Sequence, residues 1–215
     1  MYYTDNRIRF SEVDENAYLT LYAMVNYFQD CCTFQGEDAG VGITYSMPRH
    51  ESWIIVNLQL DILRYPKFAE EIRVSTWASA FKGIIGKRSF EMTDSDGKVL
   101  ARANSDWVFV RKGKILQVPE EQIKAYDPRP GEKHFEDLGQ RKISLPKELD
   151  EKPSFTVNES DLDTNKHVNN CQWIRMALAY IPQNKKPVHM RVEFKNEGHL
   201  DDVIHPHRSE ERRVG

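Results

Sequence analysis

The chain has 215 residues, a length that fits one large domain or two small ones. Hydrophobic residues make up 40% of it, which is ordinary for a globular protein, and the formal net charge of −3 argues against binding to nucleic acid. The sequence shows no signal-peptide pattern and no apolar run of the roughly 18 residues that a membrane span needs. Its three cysteines, two of them adjacent, favour the reducing cytoplasm over a disulfide-bonded framework.

The first predicted elements are a short strand and an amphipathic helix. Arg7-Ile8-Arg9-Phe10 alternates in polarity as a strand does. Leu21, Met24, Val25 and Phe28 then recur at the i, i+3, i+4 and i+7 spacing of one helix face. Spacing alone does not distinguish a face that packs a core from one that lines an apolar cavity.

Strands of an antiparallel sheet are predicted after this helix. Residues 57–62 and 72–77 alternate between apolar and polar side chains, with the period of two that is typical of half-buried strands. Asp96-Gly97 and Lys112-Gly113 mark tight turns between further apolar segments. A helix wrapped by such a sheet predicts an α+β module.

Two later stretches of the chain repeat earlier ones. Residues 159–168 repeat the pattern of residues 10–19, in which a serine and an acid precede an aliphatic residue, an aspartate and an asparagine. Residues 192–204 echo residues 60–72 in the same order, so we infer a duplicated module. Residues 119–151, between the copies, are rich in proline, glycine and charge, which is typical of a linker.

The second copy repeats the strand and the helix of the first. Residues 155–157 predict the strand. Ile174, Ala177, Leu178 and Ile181 share one helix face, and the proline that follows them is expected to end the helix.

The predicted boundaries are 1–118 for the first module, 119–151 for the linker and 152–207 for the second module. Few residues follow Ile204 in comparison with the first copy, so the second module is expected to lack its last strands. Residues 208–215 fit neither a strand nor a core and correspond to a translated sequencing-adapter read. We therefore expect them to be a foreign tail.

The polar residues directly before the second helix are the best candidates for chemistry. Asp163, Asn165 and His167 stand at alternate positions, so an extended segment would project them to one side. Such groups can activate water, and unpaired N–H groups at the helix start can stabilise an oxyanion. The competing interpretation is an ordinary helix cap with a core histidine. The first copy favours catalysis in the second, because it keeps Asp14 and Asn16 but has a tyrosine in place of the histidine.

These motifs resemble those of the acyl-ACP thioesterase family, which comprises plant chloroplast enzymes and bacterial relatives. The resemblance covers nearly all of the chain up to about residue 204. It rests on six segments, which are residues 53–55, 59–66, 76–77, 105–108, 161–170 and 192–197.

The resemblance implies a tandem double hotdog fold, in which each module is a long helix wrapped by an antiparallel sheet. It implies hydrolysis of fatty acyl-ACP thioesters to free fatty acid and holo-ACP without a cofactor, and acyl carrier protein as the partner. The first module would hold the acyl chain, and the second would carry catalysis. The implied catalytic residues are Asp163, Asn165, His167 and Glu197, and the substrate-binding residues are Val168, Asn169, Asn170, Met24, Val25 and Phe28.

Several alternatives stay open from the sequence. Either Asp163 or Glu197 can activate the water, and Gly198 stands where relatives often have a cysteine, which argues against a cysteine nucleophile there. Hydrolysis of acyl-CoA and non-catalytic acyl binding are the alternative functions, and self-association into a homodimer is a further alternative. His205-Pro206-His207 lacks a second ligand set, so no metal site is predicted. Candidate docking residues for an acidic carrier protein are Arg64, Lys67, Lys82, Lys87 and Arg88.

Overall fold

The structure is a computed structural model that describes residues 1–129, 142–182 and 185–209. Within these residues, no helix is long and apolar enough to cross a membrane. The chain divides into two compact units. Unit 1 comprises Met1–Gly139 and Pro187–Glu193, and unit 2 comprises Gln140–Lys186 and Phe194–Gly215.

The α-helices and the strands of the described residues are each numbered in chain order. The helices are α1 (Leu21–Asp38), α2 (Ile43–Ser46), α3 (Glu120–Tyr126) and α4 (Asn170–Leu178). The strands are β1 (Tyr2–Arg7), β2 (Glu51–Ile62), β3 (Glu71–Lys82), β4 (Ile85–Asp94), β5 (Val99–Arg111), β6 (Lys114–Leu116), β7 (Asp150–Glu151), β8 (Phe155–Thr156), β9 (His189–Glu193), β10 (Val203–Ile204) and β11 (His207–Arg208).

Unit 1 is a helix packed on an antiparallel sheet. The strand order is β1-β3-β4-β5-β2-β9, with β6 paired to β5. Helix α1 contacts β3 and buries Leu21, Met24, Val25 and Phe28, as their spacing predicts. The rings of Phe28 and Phe90 lie 5.2 Å apart between centroids. Truncating a buried phenylalanine costs about 3–5 kcal/mol, so the helix and the sheet stabilise each other. The predicted α+β class is confirmed.

Both predicted tight turns are present in unit 1. Asp96-Gly97 lies between β4 and β5, where the Asp94 carboxylate accepts two backbone N–H groups and Gly97 has a φ of +79°. Lys112-Gly113 joins β5 to β6, and both residues have positive φ angles, 50° and 72°. A pair of left-handed residues is what a type I′ hairpin turn requires, and the twist of such a turn matches that of the flanking strands.

Strand β9 pairs with β2 of unit 1, although residues 189–193 are predicted to belong to the second module. The antiparallel register runs from Asn57 opposite Glu193 to Asp61 opposite His189. The imidazole of His189 also contacts the Asp61 carboxylate. The pairing has a backbone cause, because β2 would otherwise present a row of unpaired N–H and C=O groups.

Helix α3 lies within residues 119–151, which composition predicts to be a linker. Gln122 is fully buried and accepts a hydrogen bond at 3.1 Å from the Trp53 indole N–H. Tyr126 is also buried and packs in an apolar cluster of unit 1. The start of the predicted linker therefore forms part of unit 1, while its residues 130–141 lie outside the described residues.

Unit 2 has a smaller core around helix α4. Val157, Val168 and Met176 are buried together, and Trp173 packs against them. The described residues of unit 2 also form two short antiparallel pairs, β8 with β10 and β7 with β11, and a 3-10 helix over Glu159–Asp161.

The first residue of the predicted foreign tail, Arg208, lies in β11 and pairs with Asp150, contrary to the prediction that it fits no strand. Residues 210–215 lie outside the described residues.

Helix α4 differs from its prediction in its length and in its buried face. It ends at Leu178, so Ile181 lies beyond it. Of the predicted face, Ile174 is buried and Ala177 is exposed, whereas Met176 is buried. Alanine offers little apolar area, so its exposure to solvent costs little free energy.

Candidate active site

A tight loop in unit 2, the Asp163 loop (residues 163–167), positions the predicted polar residues. An antiparallel bridge between the two flanking residues closes this loop. The Oδ1 atom of Asp163 accepts hydrogen bonds from the backbone N–H groups of Asn165 at 2.8 Å and His167 at 3.3 Å. This contact is typical of aspartate in turns and fixes the backbone of the histidine. Among the described residues, Oδ2 of Asp163 has no hydrogen-bond partner.

The first copy contains an equivalent loop, the Asp14 loop (residues 14–18). Its Asp14 Oδ1 accepts hydrogen bonds from the N–H groups of Asn16 and Tyr18, each at 3.0 Å. The residue before the last is left-handed in both loops, with a φ of 60° at Ala17 and 62° at Lys166. The repeated sequence therefore builds the same loop twice, and Oδ1 of the aspartate holds the backbone in both.

The segment opposite each loop is also equivalent. The Leu19 N–H donates to the Pro66 carbonyl, and the Val168 N–H donates to the Gly198 carbonyl, both at 2.8 Å. These matching hydrogen bonds align the two copies beyond the loops. In this alignment of the two copies, His167 corresponds to Tyr18, Glu197 corresponds to Tyr65, and His199 corresponds to Lys67.

An imidazole and a carboxylate meet beside the Asp163 loop. His167 Nε2 lies 3.4 Å from Glu197 Oε2, and the two side chains are 33% and 47% exposed. The His199 ring packs edge-to-face on the His167 ring, with 5.0 Å between centroids. The sequence interpretation missed His199, although its position two residues after Glu197 was a usable signal, because alternate residues often share a side.

The first copy lacks this pair of titratable groups at the equivalent positions. Burial raises the pKa of Tyr65 to about 12, so its hydroxyl stays protonated at neutral pH, and it donates to the Pro187 carbonyl at 2.6 Å. The Lys67 ammonium lies 5.5 Å from the centroid of the Tyr18 ring. At these equivalent positions, the second copy has an imidazole and a carboxylate where the first copy has two phenols.

Gly198 sets the distance between Glu197 and the helix below it. A Cβ at this position would lie 2.6 Å from Cζ2 of Trp173 and 2.9 Å from a methyl carbon of Val168. Both distances are shorter than real Cβ contacts, so the segment needs glycine to approach this closely. A cysteine would not fit here unless the segment or the Trp173 ring moved.

The start of helix α4 offers one unpaired donor. The Asn169 side chain caps the helix by accepting the Cys171 N–H at 2.8 Å. Among the described residues, the Asn170 N–H has no hydrogen-bond partner. Arg175, one helical turn further on, donates to the buried Asp161 carboxylate at 2.8 Å and ties the helix to the preceding turn. The predicted oxyanion donors at this helix start thus reduce to Asn170.

Other predicted contact residues lie in the cores of the two units. Met24, Val25 and Phe28 are buried in unit 1, and Val168 is buried in unit 2. Two candidate docking residues are engaged elsewhere, because Arg64 pairs with two carboxylates and the buried Arg88 donates to the side chains of Gln35 and Thr76. These two arginines therefore contribute to the structure of unit 1.

The family models describe two domains of one protein family. The acyl-ACP thioesterase N-terminal domain matches residues 1–126, and the acyl-ACP thioesterase C-terminal domain matches residues 145–214. The chain belongs to the acyl-ACP thioesterase family.

Curated relatives are plant enzymes of this family. Oleoyl-acyl carrier protein thioesterase 1, chloroplastic, from Arabidopsis thaliana is 24% identical over 92% of this chain and 60% of its own length. A chloroplastic palmitoyl-acyl carrier protein thioesterase from Gossypium hirsutum is 26% identical over 92% of this chain and 52% of its own length. The chain therefore spans just over half the length of the curated relatives it matches.

Solved structures confirm the predicted fold class. A Lactobacillus plantarum protein assigned as an oleoyl thioesterase has a TM-score of 0.85 at 22% identity, covering 97% of this chain and 85% of its own. The 12:0-ACP thioesterase from Umbellularia californica has a TM-score of 0.77 at 21% identity, covering 95% and 85%. At these identities the likeness concerns the fold, which is the tandem hotdog fold of such thioesterases.

Proposed function

We propose that this chain hydrolyses fatty acyl thioesters carried on acyl carrier protein, and that the reaction takes place at the Asp163 loop. Family membership supports the reaction class. The observation that carries the assignment is the contact between His167 and Glu197, which the equivalent first-copy tyrosines, Tyr18 and Tyr65, cannot reproduce. The two copies share the backbone of the loop, so we assign the chemistry to the side chains that differ between them.

The proposed reaction begins with the removal of a proton from an attacking water. His167 and Glu197 together provide a proton acceptor and a carboxylate that can orient it or share the proton. Their partial exposure leaves room for water and for a thioester arriving from solvent. Attack on the thioester carbon forms a tetrahedral oxyanion, whose collapse expels the thiolate of the carrier, and the thiolate takes up a proton.

The neighbouring polar groups are proposed to stabilise this intermediate. The unpaired Asn170 N–H is aligned with the positive end of the α4 dipole and can donate to the oxyanion. The exposed Asn165 side chain is a second candidate donor. Asp163 uses Oδ1 to fix the loop and leaves Oδ2 available for water or substrate. Asn169 acts through the helix cap that presents Asn170.

The carrier and the location are proposals of the same kind. Curated relatives are named for their action on acyl carrier protein substrates, and we extend that carrier to this chain. Met24, Val25 and Phe28 remain the proposed contacts of the acyl chain in unit 1. A cytoplasmic location is supported by three buried cysteines that form no disulfide, Cys31, Cys32 and Cys171, because they need no oxidising compartment.

The first test is thiol release from palmitoyl-ACP and palmitoyl-CoA by the full chain. The wild-type protein is expected to release thiol from palmitoyl-ACP at the higher kcat/KM. Replacing the proton acceptor or its partner, His167→Asn or Glu197→Gln, should lower kcat/KM by about 100-fold or more, as loss of a general acid–base group does.

Tyr18→Phe is the matched control, because Tyr18 occupies the position of His167 in the first copy and its ring is kept. Its kcat/KM should stay close to that of the wild-type protein. Equal losses in all three variants would contradict a site in the second copy. A higher kcat/KM on palmitoyl-CoA would show that coenzyme A, and not acyl carrier protein, is the preferred carrier. Acyl binding without thiol release would favour the non-catalytic alternative.

A further inference from the structure

Three metal-ligating side chains converge at the edge of the Asp163 loop. One donor atom from each of His167, Glu197 and His199 lies within 4.8 Å of the others. In residues 1–129, 142–182 and 185–209 this is the one group of three such side chains that meets this distance. Two imidazoles and a carboxylate are a ligand set that Zn²⁺ and related cations use in proteins.

The distances are compatible with closure around a cation. Ligand bonds of about 2.0–2.1 Å in a tetrahedral site place neighbouring donors about 3.4 Å apart. His167 Nε2 and Glu197 Oε2 already lie 3.4 Å apart. His199 must approach them by side-chain rotation, and its side chain is 58% exposed, so this rotation meets little resistance.

The backbone beneath the three side chains is fixed. The carbonyl of Gly198, the residue between Glu197 and His199, accepts the Val168 N–H at 2.8 Å. Val168 directly follows His167, so this hydrogen bond holds the two segments that carry the ligands side by side. Asp202 accepts the His199 backbone N–H at 2.8 Å, and its Oδ2 lies 3.7 Å from His199 Nδ1. A carboxylate beside a histidine ligand can orient the ring for metal binding.

The first copy provides an internal comparison. Its equivalent side chains are Tyr18, Tyr65 and Lys67, which offer no imidazole and no carboxylate and place an ammonium where the second copy has His199. The ligand set therefore does not follow from the shared fold. It arises from three side chains that differ between the copies.

We propose that His167, Glu197 and His199 bind a divalent transition-metal cation, for which Zn²⁺ is the best fit, and that the bound cation inhibits thioester hydrolysis. The inhibitory part rests on the proposed function, because the cation would occupy the two groups that are proposed to activate water. With three protein ligands, the fourth position of a tetrahedral site stays open to water.

Direct binding of Zn²⁺ to the full chain tests the site without an activity assay. Isothermal titration calorimetry should show one cation per chain for the wild-type protein. His199→Asn should weaken binding by about tenfold or more, since even an outer partner of a metal ligand is worth that much. Glu197→Gln should do the same, and circular dichroism should show that both variants keep the fold. His207→Asn, an exposed histidine outside the cluster, should leave binding unchanged.

Equal binding by wild-type protein and His199→Asn, or no binding by the wild-type protein, would overturn the site. Inhibition is measured separately, with each protein compared with its own metal-free rate on palmitoyl-ACP. Wild-type turnover should fall over the Zn²⁺ range in which calorimetry shows binding, and His199→Asn should need at least about tenfold more Zn²⁺. If the wild-type protein binds Zn²⁺ but neither it nor the variants hydrolyse palmitoyl-ACP, the proposed function is wrong and the metal site stands. Turnover unchanged at saturating Zn²⁺ would remove the inhibition.

Discussion

Gly198 combines two requirements at one residue. Its carbonyl accepts the Val168 N–H, and its missing side chain lets Trp173 pack directly beneath it. The residues on either side, Glu197 and His199, therefore stand at fixed positions relative to His167. A small change at this glycine should affect both the packing of unit 2 and the proposed chemistry.

Gly198→Ala is expected to destabilise unit 2 by about 1–3 kcal/mol, the usual cost of overpacking. The added methyl group would lie 2.6 Å from the Trp173 ring, so the segment or the ring must move. Movement of the segment would separate Glu197 from His167 and lower kcat/KM on palmitoyl-ACP. Chemical denaturation measures the first effect, and thiol release measures the second.

Trp173→Phe supplies the matching control for this prediction. Phenylalanine lacks the part of the indole that contains Cζ2, the atom nearest to the added methyl group. The double variant with Gly198→Ala should therefore recover part of the stability and the rate that the single variant loses. Unchanged stability in Gly198→Ala alone would show that the close contact does not constrain the segment.

At the scale of elements, the sequence predicted the repeat itself but not its local conformation, because residues 163–167 form a tight loop and not the extended segment that alternate spacing predicts. The aspartate of each copy accepts the N–H groups two and four residues ahead, and these local hydrogen bonds turn the chain. The approach of His199 to His167 depends on how a distant segment lies against the loop. Spacing can place His199 on the same side as Glu197, but it does not show that either approaches His167, so His199 was missed and Glu197 was assigned through a family resemblance.

The two loop aspartates form a matched pair for mutation. Asp14→Ala and Asp163→Ala each remove the acceptor of two backbone N–H groups, and each should lower the free energy of unfolding by about 1 kcal/mol. Asp163→Ala should also reduce turnover of palmitoyl-ACP strongly, whereas Asp14→Ala should keep most of it. Denaturation curves and thiol release on the same samples provide both measurements.

Asparagine at position 163 keeps an oxygen acceptor, so Asp163→Asn should recover most of the lost stability. Its turnover then reports what the negative charge adds beyond the loop. A clear loss of stability in only one of the two alanine variants would contradict the equivalence of the loops.

At the scale of the whole molecule, duplication and the α+β class followed from sequence patterns, but the assignment of segments to units did not. Helix α3 belongs to unit 1 although it lies in the predicted linker, and strand β9 pairs with unit 1 although it lies in the segment that the C-terminal family domain matches. Backbone pairing along β2 and the buried contact of Gln122 with Trp53 caused these differences. Both are long-range contacts, whereas proline and charge content describes only the local chain.

An ion-pair network in unit 1 should couple stability to pH. Arg64 Nη1 donates to Glu70 Oε2 at 3.0 Å, and Arg64 Nη2 lies 3.3 Å from Asp94 Oδ2. Hydrogen bonding from the Arg64 guanidinium holds the pKa of Glu70 below its ordinary value. The hydrogen bond from the Lys98 backbone N–H has the largest effect on the pKa of Asp94 and lowers it, and the hydrogen bond from Arg64 lowers it further. Both carboxylates are therefore more stable as anions in the folded chain than in the unfolded chain.

Glu70→Gln should reveal the sign of this coupling. Above the unfolded-state pKa of about 4.3, Glu70 is ionised in both states, and its contact with Arg64 stabilises the folded state. As the pH falls through the lower folded-state pKa, the carboxylate takes up a proton and this contribution is lost. The variant should therefore be less stable than wild type by on the order of 1 kcal/mol at pH 7, with the gap closing below about pH 4. Urea denaturation at several pH values measures the gap, and Glu71→Gln, at the exposed neighbouring residue, serves as the control. A gap that stays constant from neutral to acidic pH would show that Glu70 contributes by packing and not by its charge.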